Sequence, residues 1–411
     1  MSTDGVDARS LLHSQPASLE DELRDELSLL QTAGLLRKLR RTANRNGAEV
    51  RCGDRTLIDF SSNDYLGLAS DARIARAARD AIGADGVGAA AARLVSGNHH
   101  LHEQLENAIA RFKRSEAALL FSSGYMANIG AIPALVGRRD VIYADELNHA
   151  SLIDACRLSR AELRVIPHRD TAALAAAVSS DGGRFRRQLI VVDSVFSMDG
   201  DIYPLDSLVA IARDHGAWTY IDDAHGTGVL GATGRGAAEY WRVEGEVDVL
   251  MGTLGKALGV SGAFVAGSRA LVEYLLNRAR SFVFTTGTPP LLAAAAIEAL
   301  SIVEAEPWRR ERLRENARQL RCGLAALWRE AAGEDDGHIV PLVLGDADIT
   351  MRAGAELFER GFLVGAIRPP SVPMGGSRLR VTVSAAHDHG HIAGLLAALG
   401  EVLPRMTRAK V

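Results

Sequence analysis

From about residue 60 to residue 290, the chain alternates short apolar runs with stretches that have helical periodicity. The apolar runs predict strands over Ala117–Phe121, Val141–Ala144, Leu163–Ile166, Leu189–Asp193, Trp218–Asp222, Val247–Met251 and Ala263–Ala266. Strands that helices separate in sequence usually pair in parallel, and the helices then cover both faces of the sheet. The pattern therefore predicts an α/β fold whose large domain contains a mostly parallel, seven-stranded sheet.

The segments before this region differ from it in composition. Residues 1–18 contain Ser, Asp, Gly and Pro without periodicity, which predicts a disordered tail. A helical pattern begins at Leu19, acidic at first and basic later through the cluster 37–41. That cluster is either a solvated helix face or an arm that meets an anionic substrate. We expect residues 19–60 to form an N-terminal arm of helix and short strands.

The segments after this region predict a second, smaller domain. A long Ala/Leu-rich helix follows Pro289 and Pro290, and an Arg-rich helix follows over Trp308–Glu330. Strand-like runs and closing helices come next, as in a small α+β domain. The predicted boundaries are therefore 61–290 for the large domain and 291–411 for the linking helix and the small C-terminal domain.

Composition narrows the function classes. The net charge is −4, from 47 basic and 51 acidic residues, which argues against a dedicated nucleic-acid binder. The longest apolar stretch, Leu291–Val303, is too short to span a bilayer and contains Glu298. Cys52, Cys156 and Cys322 lie far apart, as in a reducing compartment. With no signal-peptide pattern at the N-terminus, we expect a cytoplasmic protein without nucleic-acid or membrane partners.

Polar residues follow the predicted strands at their carboxyl ends, where open α/β sheets bind ligands. Gly124 turns the chain after the first strand, at a predicted helix start whose free N–H groups suit a phosphate. His149 follows the second strand, and its imidazole can stack on a flat ring or cap a helix. Ser197 lies beyond the fourth strand, and it either offers a hydroxyl donor or forms an ordinary turn.

The next two strand ends carry Asp222 with His225, and Thr253 with Lys256. A Lys near an Asp and a His suits a carbonyl cofactor held as a Schiff base, pyridoxal 5'-phosphate (PLP), with Asp222 at its ring nitrogen. The Asp-x-x-His spacing also suits a metal, but no third ligand of similar quality is present. Because Ala257 follows Lys256 and no Gly has the required spacing, a Walker phosphate loop is excluded.

A group of three histidines could also be interpreted as a metal site. His99, His100 and His102 fall in the first turn of a predicted helix with an apolar stripe, for which Asn98 is the expected N-cap. The helical pattern explains these residues without a metal. We therefore predict no metal site in the chain.

Taken together, these residues resemble a known family, the α-oxoamine synthases. These are PLP-dependent enzymes with the aspartate aminotransferase, or type I, fold. The resemblance extends from about Leu35 to Leu403. Its most specific motifs are Ser61–Leu68, Leu94–Gly97, Asn148–Ser151, Val195–Asp201, Asp222–Gly228 and Thr253–Lys256.

The resemblance implies a complete cofactor site. Lys256 would form the Schiff base and His149 would stack on the ring. The other implied contacts are Gly124, Tyr125 and Thr253 with the phosphate, Ser197 and His225 with the phenolic oxygen, and Asp222 with the ring nitrogen. Family members are homodimers with shared active sites, and Thr286 would reach the phosphate in the partner subunit.

The resemblance also implies where substrates bind. Asn63 and Arg380 would lie near the amino-acid substrate, with the Arg380 guanidinium pairing with its carboxylate. Arg378 is two residues away on the same strand face and is the alternative. Arg37 and Ser371 match positions that meet the acyl substrate.

The implied reaction is a decarboxylative condensation of an amino acid with an acyl thioester, with Lys256 and His149 as catalytic residues. The motifs are most similar to those of the enzymes that join L-alanine to pimeloyl-CoA or a pimeloyl carrier protein in biotin synthesis. Sister activities use glycine with acetyl-CoA or succinyl-CoA, or serine with a long acyl chain. A catalytically silent partner subunit is an alternative of another class, against which the presence of Lys256, His149 and Asp222 argues. A metal hydrolase is a more distant alternative.

The chain departs from the family pattern at the run Gly88–Arg93, which is rich in Ala where relatives have Gly and Ser. Alanine narrows backbone freedom and fills space that glycine leaves open. We therefore expect the residues near the acyl tunnel to differ from those of relatives. The extension before the matched region has no function that the sequence indicates.

Overall fold

The computed structural model describes residues 18–327 and 337–408. Its strands, in chain order, are β1 (Ala43–Asn46), β2 (Glu49–Cys52), β3 (Arg55–Asp59), β4 (Ala117–Phe121), β5 (Val141–Asp145), β6 (Glu162–Ile166), β7 (Gln188–Asp193), β8 (Trp218–Asp222), β9 (Val249–Thr253), β10 (Ala263–Gly267), β11 (Ile339–Gly345), β12 (Phe362–Leu363), β13 (Gly365–Ile367) and β14 (Ser377–Thr382).

The helices cover the sheets and connect their strands. In chain order they are α1 (Leu19–Thr32), α2 (Ala72–Asp85), α3 (His100–Lys113), α4 (Gly124–Leu135), α5 (Ala150–Ser159), α6 (Thr171–Ser180), α7 (Leu205–His215), α8 (Ala237–Tyr240), α9 (Arg269–Arg278), α10 (Arg280–Val283), α11 (Pro290–Ala305), α12 (Trp308–Leu327), α13 (Ala347–Glu359) and α14 (His389–Arg408). Within the described ranges, none of them combines the length and apolarity needed to cross a membrane.

The centre of the molecule is the predicted seven-stranded sheet, in the order β4-β10-β9-β8-β7-β5-β6. β10 runs antiparallel to both of its neighbours, and the pairs from β9 to β6 are parallel. The predicted fold class is therefore confirmed. The sixth predicted strand needs one adjustment, because β9 covers Val249–Thr253 where the sequence predicted Val247–Met251. Thr253 is thus the last residue of this strand.

Helices on both faces of the sheet bury its apolar side chains. β7 shows this most simply, because successive side chains of a strand point to opposite faces. Leu189 and Val191 join the core on the face covered by α4 and α5, whereas Ile190 and Val192 join the core beneath α6 and α7. This two-sided burial explains why the strands appear in the sequence as uninterrupted apolar runs.

Two smaller sheets tie the ends of the described chain together. β1, β2 and β3 form a sheet with β12, whose parallel partner is β3, so the N-terminal strands pair with the C-terminal part. β11, β14 and β13 form a second sheet beneath α13 and α14. The central strand of that sheet, β14, carries Arg378 and Arg380, both buried.

The N-terminal helix begins where the sequence predicts and ends earlier. Ser18 caps α1 by accepting a hydrogen bond from the Asp21 N–H, but the helix ends at Thr32. The basic cluster 37–41 is therefore not helical, and its interpretation as a helix face is wrong. The rest of the predicted tail, 1–17, lies outside the described residues, as do 328–330 of the predicted Arg-rich helix.

The N-cap of α3 also differs from the prediction. His99, rather than Asn98, is the N-cap, and its ring accepts a hydrogen bond from the Leu101 N–H. The His102 ring in turn accepts from the backbone of His99, which completes a capping box. A histidine ring here performs the function usually served by Ser, Thr, Asp or Asn, and for that reason composition alone did not identify it.

A buried ion pair links α3 to the loop after β8. Lys113 Nζ lies 2.8 Å from Asp223 Oδ2, with side chains 1% and 0% exposed. Asp223 also accepts hydrogen bonds from Ser194, Thr227 and the Ala237 N–H. A buried charge is tolerated only when it is paired and hydrogen-bonded, so this cluster holds the loop that begins at the end of β8.

Lys113→Ala is expected to lower the free energy of unfolding by about 3–5 kcal/mol, because it leaves the buried carboxylate of Asp223 without a counter-ion. Chemical denaturation followed by circular dichroism measures the loss. Arg213→Ala removes an exposed ion pair with Glu246 and serves as the control, with an expected change below about 1 kcal/mol. Equal stability of Lys113→Ala and the wild type would contradict this account.

Candidate active site

The ends of parallel strands and the loops that follow them bring four ionisable side chains to one edge of the central sheet. His149 follows β5, Asp193 and Asp222 end β7 and β8, and Lys256 lies in the loop after β9. Because the carboxyl ends of parallel strands share one edge, residues far apart in sequence meet there. The charges of Asp222 and Lys256 both act on the pKa values of His149 and Asp193, so the four groups share one electrostatic environment.

Lys256 is the only lysine among these groups, and burial changes its chemistry. Loss of solvent around the amine lowers the pKa of Lys256 to about 8, although Asp222 and Asp193 oppose the change. Its Nζ lies 2.8 Å from His225 Nε2. Burial also lowers the pKa of His225 well below its usual value, and Lys256 adds to this effect. The site therefore pairs a neutral imidazole with an amine that loses its proton near pH 8.

A chain of hydrogen bonds connects Lys256 to Arg380. Beyond His225, its Nδ1 lies 2.6 Å from Tyr65 Oη, and Tyr65 Oη lies 3.0 Å from Asn63 Oδ1. Asn63 Oδ1 also accepts a hydrogen bond from Arg380 Nη2 at 3.3 Å. The structure thus brings together four residues that the sequence analysis singled out, with Tyr65 between them.

The two arginines of β14 have different partners. Arg380 Nε donates to the Ser197 carbonyl, so this guanidinium faces the candidate site. Arg378 instead donates to the carboxylate of Asp199 and to the Met198 carbonyl. Since the charge of Arg378 is already paired, Arg380 is the better placed of the two to receive a substrate carboxylate, as the sequence analysis expected.

Asp222 lies in a buried polar cluster. Its carboxylate accepts hydrogen bonds from Asn128 Nδ2 at 2.8 Å and from the Ala224 N–H at 3.0 Å. The Asn128 side chain is oriented by Tyr220, whose hydroxyl donates to Asn128 Oδ1 at 2.8 Å. Burial raises the pKa of Asp222, and the charge of Lys256 and the bond from Asn128 oppose the rise. A further cation placed beside Asp222 would therefore stabilise the charged form of its carboxylate.

His149 has a structural function in addition to its predicted one. It is the N-cap of α5, because its ring accepts a hydrogen bond from the Ser151 N–H. The backbone N–H of His149 donates to Asp193 Oδ2 at 2.6 Å. Burial lowers the pKa of His149, the charge of Asp222 raises it, and that of Lys256 lowers it. The capping interpretation is confirmed, and the neutral ring still stands at the edge where the four groups meet.

The start of α4 lies at the end of β4. Gly124 is the first helical residue, and the Ser123 side chain caps the helix by accepting from the Met126 N–H. The first N–H groups of a helix have no partner within it, and together with the helix dipole they attract anions. Tyr125 is largely exposed, and its hydroxyl bonds to Asp154. This helix start keeps the geometry that suits a phosphate.

Thr253 shapes the loop that carries Lys256. Its hydroxyl donates to the Gly262 carbonyl at 3.0 Å and accepts from the Gly255 N–H at 3.1 Å. These bonds close the turn between β9 and β10. The predicted contact of Thr253 with phosphate stays a prediction.

Two predicted contacts involve residues at the periphery. Thr286 is exposed and forms an isolated antiparallel bridge with Ala92, so its predicted reach into a partner subunit stays a prediction. Arg37 and Ser371, both predicted to meet the acyl substrate, lie together, with Arg37 Nη2 donating to Ser371 Oγ at 3.3 Å. Residues 334 positions apart are thus neighbours at the surface.

The Ala-rich run has an unusual backbone. Ala90 has φ +59°, in the left-handed region that favours glycine. The same segment lies close to Gly97, where an added Cβ would be 1.9 Å from the Ala91 carbonyl oxygen. Replacement of glycine by alanine in this run therefore carries local strain, whereas Gly97 is sterically required.

The histidines of α3 point in different directions. Asp85, His99 and His100 each place a potential ligand atom within 4.8 Å of the other two. His99 Nε2 lies 3.2 Å from Asp85, which forms an ion pair when the ring is protonated. His102 is buried and bonds instead to the Thr288 carbonyl. The three histidines at the start of α3 therefore do not form one cluster.

The residues at the sheet edge fit PLP. Its aldehyde needs an amine with a lowered pKa, its pyridine nitrogen needs a carboxylate, and its phosphate needs N–H donors. The buried amine of Lys256, the buried carboxylate of Asp222 and the start of α4 at Gly124 supply these three groups. The donor set therefore matches the cofactor that the sequence predicted.

The sequence analysis missed three residues of this site. Asp193 ends a predicted strand, so its position was a signal that was not used. Tyr65 lies inside the motif Ser61–Leu68 but was not distinguished from its neighbours. Asn128 lies on α4, and no pattern in the sequence indicates that its side chain reaches Asp222 across the sheet edge.

Asn128→Ala is expected to weaken PLP binding about tenfold, because the buried carboxylate of Asp222 loses a hydrogen bond worth about 1.5 kcal/mol. Titration of the cofactor-free protein with PLP, followed by visible absorbance, measures the change. Asn277→Ala is the control, since the exposed Asn277 amide bonds to the Glu273 carbonyl of its own helix, away from Asp222. Equal PLP affinity of folded Asn128→Ala and the wild type would show that Asn128 does not support Asp222.

A family model described as aminotransferase class I and II matches residues 55–399 of the chain. Among curated proteins, the 8-amino-7-oxononanoate synthase of Alkalilimnicola ehrlichii is 49% identical over 388 residues, covering 94% of this chain and 98% of that protein. The protein of the same name from Geobacter sulfurreducens is 48% identical, covering 92% and 96%. These matches extend over nearly the full length of both partners.

Solved structures are similar over the same region. Serine palmitoyltransferase from S. paucimobilis, with bound PLP, has a TM-score of 0.87 at 29% identity and covers 95% of this chain and 100% of that one. The 8-amino-7-oxononanoate synthase from Francisella tularensis has a TM-score of 0.74 at 30% identity, covering 85% and 98%. With the site geometry described above, these findings show that the chain belongs to the aminotransferase class I and II family, and within it to the PLP-dependent α-oxoamine synthases.

Proposed function

We propose that the protein condenses L-alanine with pimeloyl-CoA, or with a pimeloyl carrier protein, in biotin biosynthesis. The products are 8-amino-7-oxononanoate, CO2 and CoA or the freed carrier. Relatives that carry the name 8-amino-7-oxononanoate synthase support this choice, because they are 48–49% identical over nearly the whole chain. Serine palmitoyltransferase is less similar in sequence, at 29% identity.

The observation that carries the proposal is the continuous hydrogen-bond chain from Lys256 to Arg380. One end holds the amine that reacts with a carbonyl. The other end holds a guanidinium suited to a carboxylate, beside Asn63. An α-amino acid has both an amine and a carboxylate, so this arrangement fits such a substrate held between the two ends.

The residues then divide the work of the reaction. Bound PLP supplies the carbonyl that takes up the substrate amine and the ring that draws electrons from its α-carbon. Arg380 and Asn63 bind the carboxylate and fix the orientation of the substrate. Lys256 Nζ, once neutral, takes the α-proton, and its pKa of about 8 makes this form accessible near neutral pH. The Asp222 carboxylate keeps a proton on the ring nitrogen, and neutral His149 assists the acyl transfer.

The acyl group is proposed to approach past Arg37 and Ser371. These two residues lie together at the surface, and the Arg37 guanidinium is suited to an anionic group. Pimeloyl-CoA carries phosphates and a terminal carboxylate, so it offers such groups. The strained segment around Ala90 is a further part of the chain that is expected to influence the choice of acyl group.

We also propose a homodimer with shared active sites, located in the cytoplasm. Exposed apolar side chains lie near Thr286 in sequence and structure, including Phe284 at 71% exposure and Val95 at 80%. Contiguous apolar surface is characteristic of a subunit interface. The three cysteines form no disulfide, and Cys322 is exposed, which matches a reducing compartment.

Amino-acid and acyl preferences test the proposal directly. The protein is expected to release CoA from pimeloyl-CoA with L-alanine at a rate at least tenfold above that with glycine or L-serine. The reason is that the site must distinguish hydrogen, methyl and hydroxymethyl, a difference that can be worth about 1–3 kcal/mol. Thiol release measures the rate, and acetyl-CoA, succinyl-CoA and palmitoyl-CoA serve as comparison donors.

The result distinguishes among the candidate functions. Preference for glycine with acetyl-CoA or succinyl-CoA, or for serine with palmitoyl-CoA, would replace the proposed substrates by those of a sister activity. No release with any pair, in a protein that binds PLP, would support a silent partner subunit. Release that a chelator abolishes and PLP does not stimulate would point to a metal hydrolase.

His149→Ala is expected to retain the yellow colour of bound PLP and to lose turnover at least a hundredfold, because general acid–base groups contribute at that scale. Visible absorbance and CoA release measure the two properties on the same sample. His215→Ala alters a histidine in the last turn of α7, on the opposite end of the βα units, and is the control. Full activity of His149→Ala would remove this residue from the catalytic mechanism.

A further inference from the structure

The hydrogen-bond chain that connects Lys256 to Arg380 has a donor at each end. An ammonium and a guanidinium both carry N–H groups and neither can accept a hydrogen bond. With a pKa of about 8, Lys256 is mostly an ammonium at pH 7. The three groups between them, from His225, Tyr65 and Asn63, must therefore accommodate donation from both sides.

Only one assignment of protons satisfies this condition at pH 7. Lys256 Nζ donates to His225 Nε2 at 2.8 Å, so the neutral imidazole carries its proton on Nδ1. Nδ1–H donates to Tyr65 Oη at 2.6 Å, and the Tyr65 hydroxyl donates to Asn63 Oδ1 at 3.0 Å. Asn63 Oδ1 receives a second bond from Arg380. Every donor in the chain then has an acceptor.

Tyr65 is the group that allows this assignment to reverse. Its hydroxyl can accept from His225 Nδ1 or donate to it, and both neighbours are within hydrogen-bond distance. Burial raises the pKa of Tyr65 to about 12, so the hydroxyl keeps its proton in either arrangement. When Lys256 becomes neutral, Tyr65 can donate to Nδ1, and His225 Nε2–H can then donate to the amine.

We propose that Tyr65 is a positioning residue that determines which ring nitrogen of His225 carries the proton, and that it thereby stabilises the ammonium form of Lys256. Tyr65 acts through His225, which bonds to Tyr65 by Nδ1 and to Lys256 by Nε2. The proposal rests on Lys256 being the lysine that reacts with PLP. It does not depend on which amino acid or acyl group the enzyme uses.

Other charged groups also affect the pKa of Lys256. Asp222 and Asp193 raise it, and Arg380 lowers it. Arg380, His338 and His149 also act on His225, each lowering its pKa further. These groups act through space, whereas Tyr65 bonds directly to Nδ1.

His338 also forms part of the packing around Tyr65. The two rings meet edge to face, with centroids 4.1 Å apart. Burial lowers the pKa of His338 to about 3, so its ring is neutral at pH 7. Because Tyr65→Phe keeps the aromatic ring, it retains this contact and removes only the hydroxyl.

Tyr65→Phe is expected to lower the pKa of Lys256 by about one pH unit. In the variant, the ammonium form leaves a buried Nδ1–H of His225 without an acceptor, a penalty of about 1–3 kcal/mol, whereas the neutral form leaves only a lone pair. The neutral amine is the form that attacks the PLP aldehyde, with loss of water. The rate at which the cofactor-free protein develops visible absorbance with PLP therefore reports this pKa when it is measured across pH.

The expected midpoint is near pH 8 for the wild type and about one unit lower for Tyr65→Phe. At pH 7 the variant should then react roughly fivefold faster, the opposite of what general damage to the site would cause. Tyr143→Phe is the control, because it removes another buried phenol hydroxyl, which bonds to Asp181 and Gln188 away from the site. Its midpoint should equal that of the wild type.

An unchanged or higher midpoint in Tyr65→Phe would overturn the proposal. A second measurement is made on the wild type and does not depend on Tyr65→Phe. Nitrogen NMR of ¹⁵N-histidine in the wild-type, cofactor-free protein at pH 6.5 should show His225 protonated on Nδ1, with the signal assigned by its loss in His225→Gln. Protonation on Nε2 instead would also overturn it. Neither readout involves alanine or pimeloyl-CoA, so a different substrate preference would leave both results unchanged.

Discussion

Parallel pairing of β5, β7, β8 and β9 is the constraint on which the site depends. Each strand enters the sheet from the same edge and leaves at the same opposite edge, so the loops after them converge. The ionisable groups are therefore brought to one place by mostly apolar strands, two of which end in Asp193 and Asp222. Two-sided burial of the sheet makes this edge rigid, because helices pack on both faces and the strands cannot shift without exposing core. The positions of the reactive side chains are therefore fixed by the apolar packing of the sheet against its helices.

Burial does more at this edge than position side chains, because it also sets their proton affinities. Desolvation is the largest influence on the pKa of Lys256, His225, His149 and Asp222 alike. It disfavours the charged form of each group, so the amine and the imidazoles move towards neutrality while the carboxylate becomes ready to pair with a cation.

The ion pair of Lys113 with Asp223 lies next to this cluster, because Asp223 follows Asp222, and it is satisfied by its own hydrogen bonds. It holds the loop in place without contributing a free charge to the reactive side.

Much of this arrangement was accessible from the sequence, and the errors have identifiable causes. Strands of the central sheet were predicted well because burial on both faces leaves an uninterrupted apolar signature. Lys256, Asp222 and His225 were found because each follows such a run. Asn128 was missed because its function depends on an approach across the sheet edge, which has no counterpart in local sequence. The basic cluster 37–41 was assigned to a helix because it follows the helical pattern that begins at Leu19, although the helix itself ends at Thr32.

The sequence by itself determined the class of the fold, the family, the cofactor and the residues expected to touch it, because each is encoded in a local run or a short motif. Only the tertiary structure decided which of those residues meet. It paired Arg378 with Asp199 and Arg380 with the Ser197 carbonyl, placed Arg37 beside Ser371, and inserted Tyr65 between His225 and Asn63. The physical reason is that hydrogen bonding acts over about 3 Å in space, whereas the sequence separates these partners by up to several hundred residues.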